Sequence, residues 1–214
     1  MRSRFERQLF ELNRELIEMG ATCEEAIASA AKALSEGDLA LAARVCENSA
    51  VIDRMERDIE GRCMTLLLHQ QPVARDLRLI SAAMKMVTDM ERIGDQAEDI
   101  AEIVSFLNGR TMDGAELIEE MARETIRMVT ASVDAFVKKD VELAENVISM
   151  DDVVDEYFSR IKSGIITLIA ENPADGEFGL DILMIAKYFE RIGDHASNIA
   201  QWVIYAVTGA HKEV

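Results

Sequence analysis

Proline is nearly missing from this chain, with two in 214 residues, and aromatic side chains make up only 5% of it. Both shortages argue against a sheet sandwich and for long, unbroken helices packed through aliphatic residues. Cysteine is scarce as well: Cys23, Cys46 and Cys63 are odd in number and form no Cys-x-x-Cys pair. That excludes a disulfide framework and a thiolate metal site, and leaves them as small buried or partly buried hydrophobes. Positive charge is the next deficit, 23 Lys and Arg against 40 Asp and Glu, for a net charge of −17. A nucleic-acid partner held through its phosphates is thereby excluded, whereas cations or a basic partner protein suit such a surface. No apolar run approaches bilayer length, the best being Ile165 to Ala170. The first fourteen residues set Arg and Glu among Phe5, Leu9, Phe10 and Leu12, without the apolar centre of a secretory signal. A cytoplasmic location is expected. Helix-turn-helix, Gly-rich phosphate-loop and nucleophile-elbow patterns do not occur.

What the chain does contain, it contains twice. Glu91-Arg92-Ile93-Gly94-Asp95 returns as Glu190-Arg191-Ile192-Gly193-Asp194, an offset of 99 residues. The match continues through Ala97 and Ala196, Ile100 and Ile199, and Ala101 and Ala200, with Asp99 facing Asn198. An earlier stretch repeats at an offset of 102: Asp38, Leu41, Val45 and Asp53 match Asp140, Leu143, Val147 and Asp155.

Apolar spacing at three and four residues predicts six long helices. The first runs from about Phe5 to Leu34, the second from Asp38 to Leu68, and the third from Pro72 to Asn108-Gly109. Gly37 suits a left-handed cap, Asp38 can cap the second helix, and Pro72 fits a first helical turn. The fourth helix spans about Ala115 to Val137, the fifth begins after the cap Asp140 and ends near Ala170, and the sixth ends near Thr208-Gly209. Glu171 to Gly179 is expected as the last loop, and Thr111 to Gly114 as the inter-domain linker. The fold class is therefore all-α: two tandem, pseudo-symmetric three-helix bundles, up-down-up in each half, over residues 1–110 and 111–214. A helix of about 30 residues is about 45 Å long, so an elongated molecule is expected.

Glu91, Asp95 and Asp99 follow at four-residue steps and share one helix face, as do Glu190, Asp194 and Asn198. A solvated acidic face is one reading of such stripes in so acidic a chain. Against it, both copies keep a glycine, Gly94 and Gly193, in a helix interior where it costs about 1 kcal/mol relative to Ala; a close approach to the backbone is expected there. The fifth helix adds Asp151 and Asp155, and an antiparallel pairing with the sixth would let Asp151, Asp155, Glu190 and Asp194 converge. Oxygen-only ligation suits Mg²⁺, Mn²⁺, Ca²⁺ or iron. The first half offers Ser49 and Asp53 at the corresponding positions, one carboxylate fewer, so weaker metal binding is expected there. Arg92 and Arg191 are open between supporting the carboxylates and ordinary solvation. His195 has Gln96 as its counterpart, so it is at most an optional extra ligand and is expected at the surface; His69 and His211 carry no signal. No histidine follows a Glu by three residues, which argues against a ferritin-like di-iron oxidase.

The two three-helix halves, the stretch Gln71-Pro72-Val73-Ala74-Arg75-Asp76-Leu77-Arg78, and Glu-Arg-Ile-Gly-Asp in both third helices closely resemble the PhoU family over nearly the whole chain. The resemblance implies a cytoplasmic, often dimeric, non-enzymatic regulator of phosphate uptake and the phosphate-starvation response. It would work through the phosphate transporter ATPase subunit and the phosphate-sensing histidine kinase, and reach the membrane only through such partners. It further implies metal clusters of Fe, Mn, Mg, Zn or Ca at Glu91 with Asp95 and Glu190 with Asp194, joined by Asp151 with Asp155. Ser49 departs from that pattern. Arg75, Asp76 and Arg78 belong to the same signature; either Asp76 favours the positive end of its helix beside solvated arginines, or the three contact a partner or an anion. A metal-dependent hydrolase or oxidase, and a metal-free acidic scaffold, are the alternatives; no nucleophile, paired base or histidine-rich ligand set supports the first.

Overall fold

The computed structural model describes residues 2–70, 72, 74–111 and 116–210. Residues 112–114 of the expected linker, Gln71 and Val73 of the third helix's opening, the side chain of His69, and His211 lie outside the described residues. Six long helices account for nearly all of the rest: α1 (Arg2–Glu36), α2 (Leu39–Gln70), α3 (Ala74–Phe106), α4 (Glu116–Lys138), α5 (Val141–Glu171) and α6 (Gly176–Thr208). Among the described residues there is no strand, and no helix is long and apolar enough to cross a membrane.

The turns follow from side-chain chemistry. Gly37 takes the left-handed conformation at φ 65°, and Asp38 Oδ1 accepts from the amides of Ala40 (3.0 Å) and Leu41 (2.9 Å) at the start of α2. In the second half Asp140 caps α5 in the same way, accepting from the Leu143 amide at 3.0 Å, but the left-handed position before it holds Lys139 at φ 56°. The last turn departs from expectation. Instead of a loop to Gly179, a short 3₁₀ turn (Pro173–Asp175) leads straight into α6 at Gly176. Asn172 makes this compact, accepting from the Ala174 amide at 3.3 Å and donating to Asp175 at 3.0 Å. Gly179 is a packing residue inside α6: a Cβ there would stand 3.1 Å from both Ile165 and Ile169.

Within each half all three helices touch one another, α1 with α2 and α3, and α4 with α5 and α6. Between the halves α3 packs on α6 and α1 on α4. The α3–α6 pair runs antiparallel: Arg78 at the start of α3 lies against Gly209 at the end of α6, Asp89 meets His195 midway, and Arg110 beyond α3 pairs with Asp175 at 2.5 Å. The core is aliphatic and runs through both halves. Met90 and its repeat counterpart Phe189 are both fully buried, each such side chain contributing about 1.5–3 kcal/mol.

Candidate carboxylate metal centres

The two interior glycines decide where the carboxylates meet. A Cβ built on Gly94 would stand 2.8 Å from Ile52 Cδ1 and 3.0 Å from its Cγ2, so α2 can seat Ile52 against α3 only because residue 94 has no side chain. Asp53 follows Ile52 in α2, and this close crossing delivers it to Glu91 and Asp95 of α3. One carboxylate oxygen from each of Asp53, Glu91 and Asp95 lies within 4.8 Å of the others. Hard cations hold oxygens at 2.0–2.6 Å, so ligands on one ion stand up to about 5 Å apart. The donor set therefore fits such an ion.

Charge within this first cluster is partly offset from its rim. Arg92, half exposed, reaches Asp95 at 3.1 Å and Glu91 at 3.4 Å. Glu91 is nevertheless pushed above the ordinary carboxylate range, first by burial, then by Asp95, and further by Asp53 and Glu56. Glu56 is the residue that sequence reasoning missed. It stands three residues after Asp53, and its own carboxyl is raised by burial, Glu60 and Asp53. Its i+3 spacing from Asp53 was a readable signal; its repeat counterpart, Phe158, concealed it.

In the second half α5 crosses α6 at Gly193 in the same manner. Val154 Cγ1 takes the place of Ile52, 3.4 Å from a Cβ built on Gly193, and Asp151 Oδ1 comes still closer at 3.0 Å. Burial, then Asp194, Asp155 and Glu190, push the Asp151 carboxyl up to about 6. Asp194 is also raised, by burial and Glu190, against the opposing charge of Lys187. The four expected residues thus share one electrostatic neighbourhood. Among the described residues, however, the tight three-oxygen arrangement occurs in the first half, and in the second Glu190 is engaged by the ammonium of Lys187.

Asp99 stands apart from the Asp53 cluster. It faces α6, where burial, then Glu102 and Asp95, raise its carboxyl against the pull of Arg191, and it in turn raises the Tyr188 hydroxyl after burial does. The pseudo-symmetric counterpart of this contact is Asn198 with Asp89, 3.4 Å apart. His195 belongs to the same seam. Its Nδ1 lies 2.9 Å from Asp89 Oδ1 and its side chain is only 19% exposed, which corrects the expectation of a surface histidine. The antiparallel α3–α6 pairing, invisible in the local sequence, turned it inward.

The Arg75, Asp76 and Arg78 group is divided. Arg75 is exposed, Asp76 lies in the first turn of α3, and Arg78 stacks on the end of α6, its Cζ 3.3 Å from a Cβ built on Gly209. A cation at a helix C-terminus is favourably placed by the helix dipole. Arg78 Nε is buried, so this arginine is not an ordinary solvated one.

Tandem all-helical bundles that seat carboxylates of adjacent helices beside an interior glycine, once in each half, define a repeat protein with paired acidic centres. The chain belongs to the PhoU family: the PhoU domain model matches residues 16–104 and 118–203. It is 36% identical over 212 residues to the phosphate-specific transport system accessory protein PhoU homolog of Clostridium acetobutylicum, covering 98% of this chain and 97% of that one. The Synechocystis protein of the same description is 38% identical over 214 residues, covering 99% and 94%. The crystal structure of PhoU from Pseudomonas aeruginosa superposes with a TM-score of 0.91 at 36% identity, covering 96% of this chain and all of that one.

Proposed function

We propose that this protein is a cytoplasmic accessory regulator of a phosphate-specific transporter, restraining phosphate uptake and the phosphate-starvation response when phosphate is plentiful. The observation that carries this reading is the end-to-end match to relatives described as accessory proteins of that transport system. Its action would be through protein contacts, with the transporter's ATPase subunit and with a phosphate-sensing histidine kinase, and as a homodimer. A non-enzymatic role agrees with the description of those relatives as accessory proteins.

Asp53, Glu91 and Asp95 are the residues that would hold a hard or borderline cation in the first half. Asp151, Asp155, Glu190 and Asp194 would do so in the second. A bound cation would supply positive charge that locks α2 to α3, or α5 to α6. The surface offered to a partner would then depend on metal. Asp99, on the same α3 face as Glu91 and Asp95, would extend the first centre towards the α3–α6 seam, where Arg191 opposes its charge.

The test is genetic and elemental together. Removing the gene from a host that carries the transporter should raise phosphate uptake in phosphate-rich medium, and the wild-type chain should restore restraint. Uptake unchanged by the deletion would sink the regulatory reading. Metal content of purified wild type and of Asp53→Asn, Glu91→Gln and Asp95→Asn, prepared with Mg²⁺, Mn²⁺ and iron separately, tests the centres. No metal in any preparation would leave the acidic faces as docking surfaces only. Phosphoester turnover lost in Glu190→Ala would favour the hydrolase instead.

A further inference from the structure

The two carboxylate clusters carry different counter-ions: the Arg92 guanidinium, 3.1 Å from Asp95 and 3.4 Å from Glu91, in the first, and the Lys187 ammonium on Glu190 in the second. Lys187 stands at the repeat position of Thr88, whose hydroxyl only donates back to the Met84 carbonyl at 3.3 Å. The Lys187 ammonium instead bonds to Glu190, within the second cluster, and stands 5.6 Å from the ring of Phe158, inside the range of a cation–π contact. Phe158 in turn replaces Glu56 of the first half. Both exchanges remove negative charge or add positive charge where the second half has gained a carboxylate, Asp151 in place of Ser49. The tight three-oxygen arrangement, with Arg92 on its rim, is in the first half, and the half with the additional carboxylate carries the tethered ammonium.

We propose that Lys187 is the resident cation of the second-half cluster, so that a metal ion enters there only by displacing its ammonium from Glu190. The metal half of this statement rests on the function proposed above; the charge-balancing half does not. Displacement is feasible because the side chain is 43% exposed and can swing into solvent without leaving a buried charge behind.

Full-length wild type, Lys187→Met and Lys187→Arg decide the matter in two measurements. The first is thermal unfolding in EDTA at neutral pH. Lys187→Met keeps an unbranched apolar stem and loses the charge, and should melt lower by about 0.5–4 °C, the range that a partly exposed pair gives in a chain of this size; Lys187→Arg should melt close to wild type. A melting point unchanged in Lys187→Met would overturn the proposal. The second is titration with Mn²⁺ alone. Wild type should bind at both clusters, Lys187→Met should strengthen one of the two steps about tenfold or more, and Asp95→Asn should remove the other. Both steps unchanged in Lys187→Met, beside one step still lost in Asp95→Asn, would also overturn displacement. Mn²⁺ binding to none of the variants, with the melting difference present, would remove the metal reading and leave Lys187 as the internal counter-ion.

Discussion

The Asp151 carboxylate lies directly on the backbone of Gly193, its Oδ1 3.0 Å from where a Cβ would be. The equivalent Gly94 is covered by Ile52, at 2.8 Å. One repeated glycine thus serves two different neighbours, a polar one that can move and an apolar one that cannot.

Alanine should separate them. In Gly94→Ala the new methyl meets a side chain buried to 2% exposure, and overpacking of about 1–3 kcal/mol exceeds the roughly 1 kcal/mol gained in helix propensity. Chemical denaturation should show a net loss of up to about 2 kcal/mol, partly restored by adding Ile52→Val. Gly193→Ala should cost less, since the Asp151 carboxylate can tilt aside, but should weaken second-half metal binding. Equal losses at the two sites would show that the neighbours do not matter.

The left-handed residues Gly37 and Lys139 give a second contrast. Gly37 has both the conformation and a tight neighbour, with a Cβ there 2.9 Å from the Gly109 carbonyl oxygen, so Gly37→Ala should destabilise by more than about 1 kcal/mol. Lys139 carries left-handed strain in its own right at φ 56°. Lys139→Asn, a residue more at ease there, should stabilise by about 0.5 kcal/mol; urea midpoints of the two variants against wild type provide the check.

Asp151 makes stability depend on pH with a defined sign. Its carboxyl titrates at about 6 in the folded chain against an ordinary 3.8, so the native state holds a proton that the unfolded chain has already released. Stability from this group is present below the unfolded value and lost as pH rises through about 6. In EDTA, Asp151→Asn should therefore melt higher than wild type near neutral pH, and the gap should close towards about pH 4. A gap that widens on acidification would reverse the assignment.

Thiol labelling tests the core. Burial, then Glu24, pushes Cys23 up to about 12, and burial, then Glu60, does the same for Cys63. Cys46 is only partly buried. A chromogenic disulfide reagent should label one thiol, Cys46, in the native protein and all three after denaturation. Rapid native labelling of all three would contradict the packing of α1 against α3.

Much of this architecture is legible in the chain alone, and the omissions have physical causes. Helix number, the caps Asp38 and Asp140, and the close approach at Gly94 and Gly193 are local or repeated features, so spacing exposes them. Glu56, the inward turn of His195 and the grip of Arg78 on α6 are not local. Each depends on which helix lies opposite, and the partner residues, at positions 91, 89 and 209, are 35 to 131 residues away.

By itself the sequence determined that this protein is helical, duplicated and acidic, and that carboxylates in each half share one helix face, because periodicity and composition are properties of the chain alone. Tertiary structure decided which carboxylates come together and how each cluster is neutralised. Identical Glu-Arg-Ile-Gly-Asp motifs acquire different surroundings because α2 presents Ile52, Asp53 and Glu56 where α5 presents Val154, Asp155 and Phe158. Electrostatic energy depends on distance and burial, and those are set only when the helices pack.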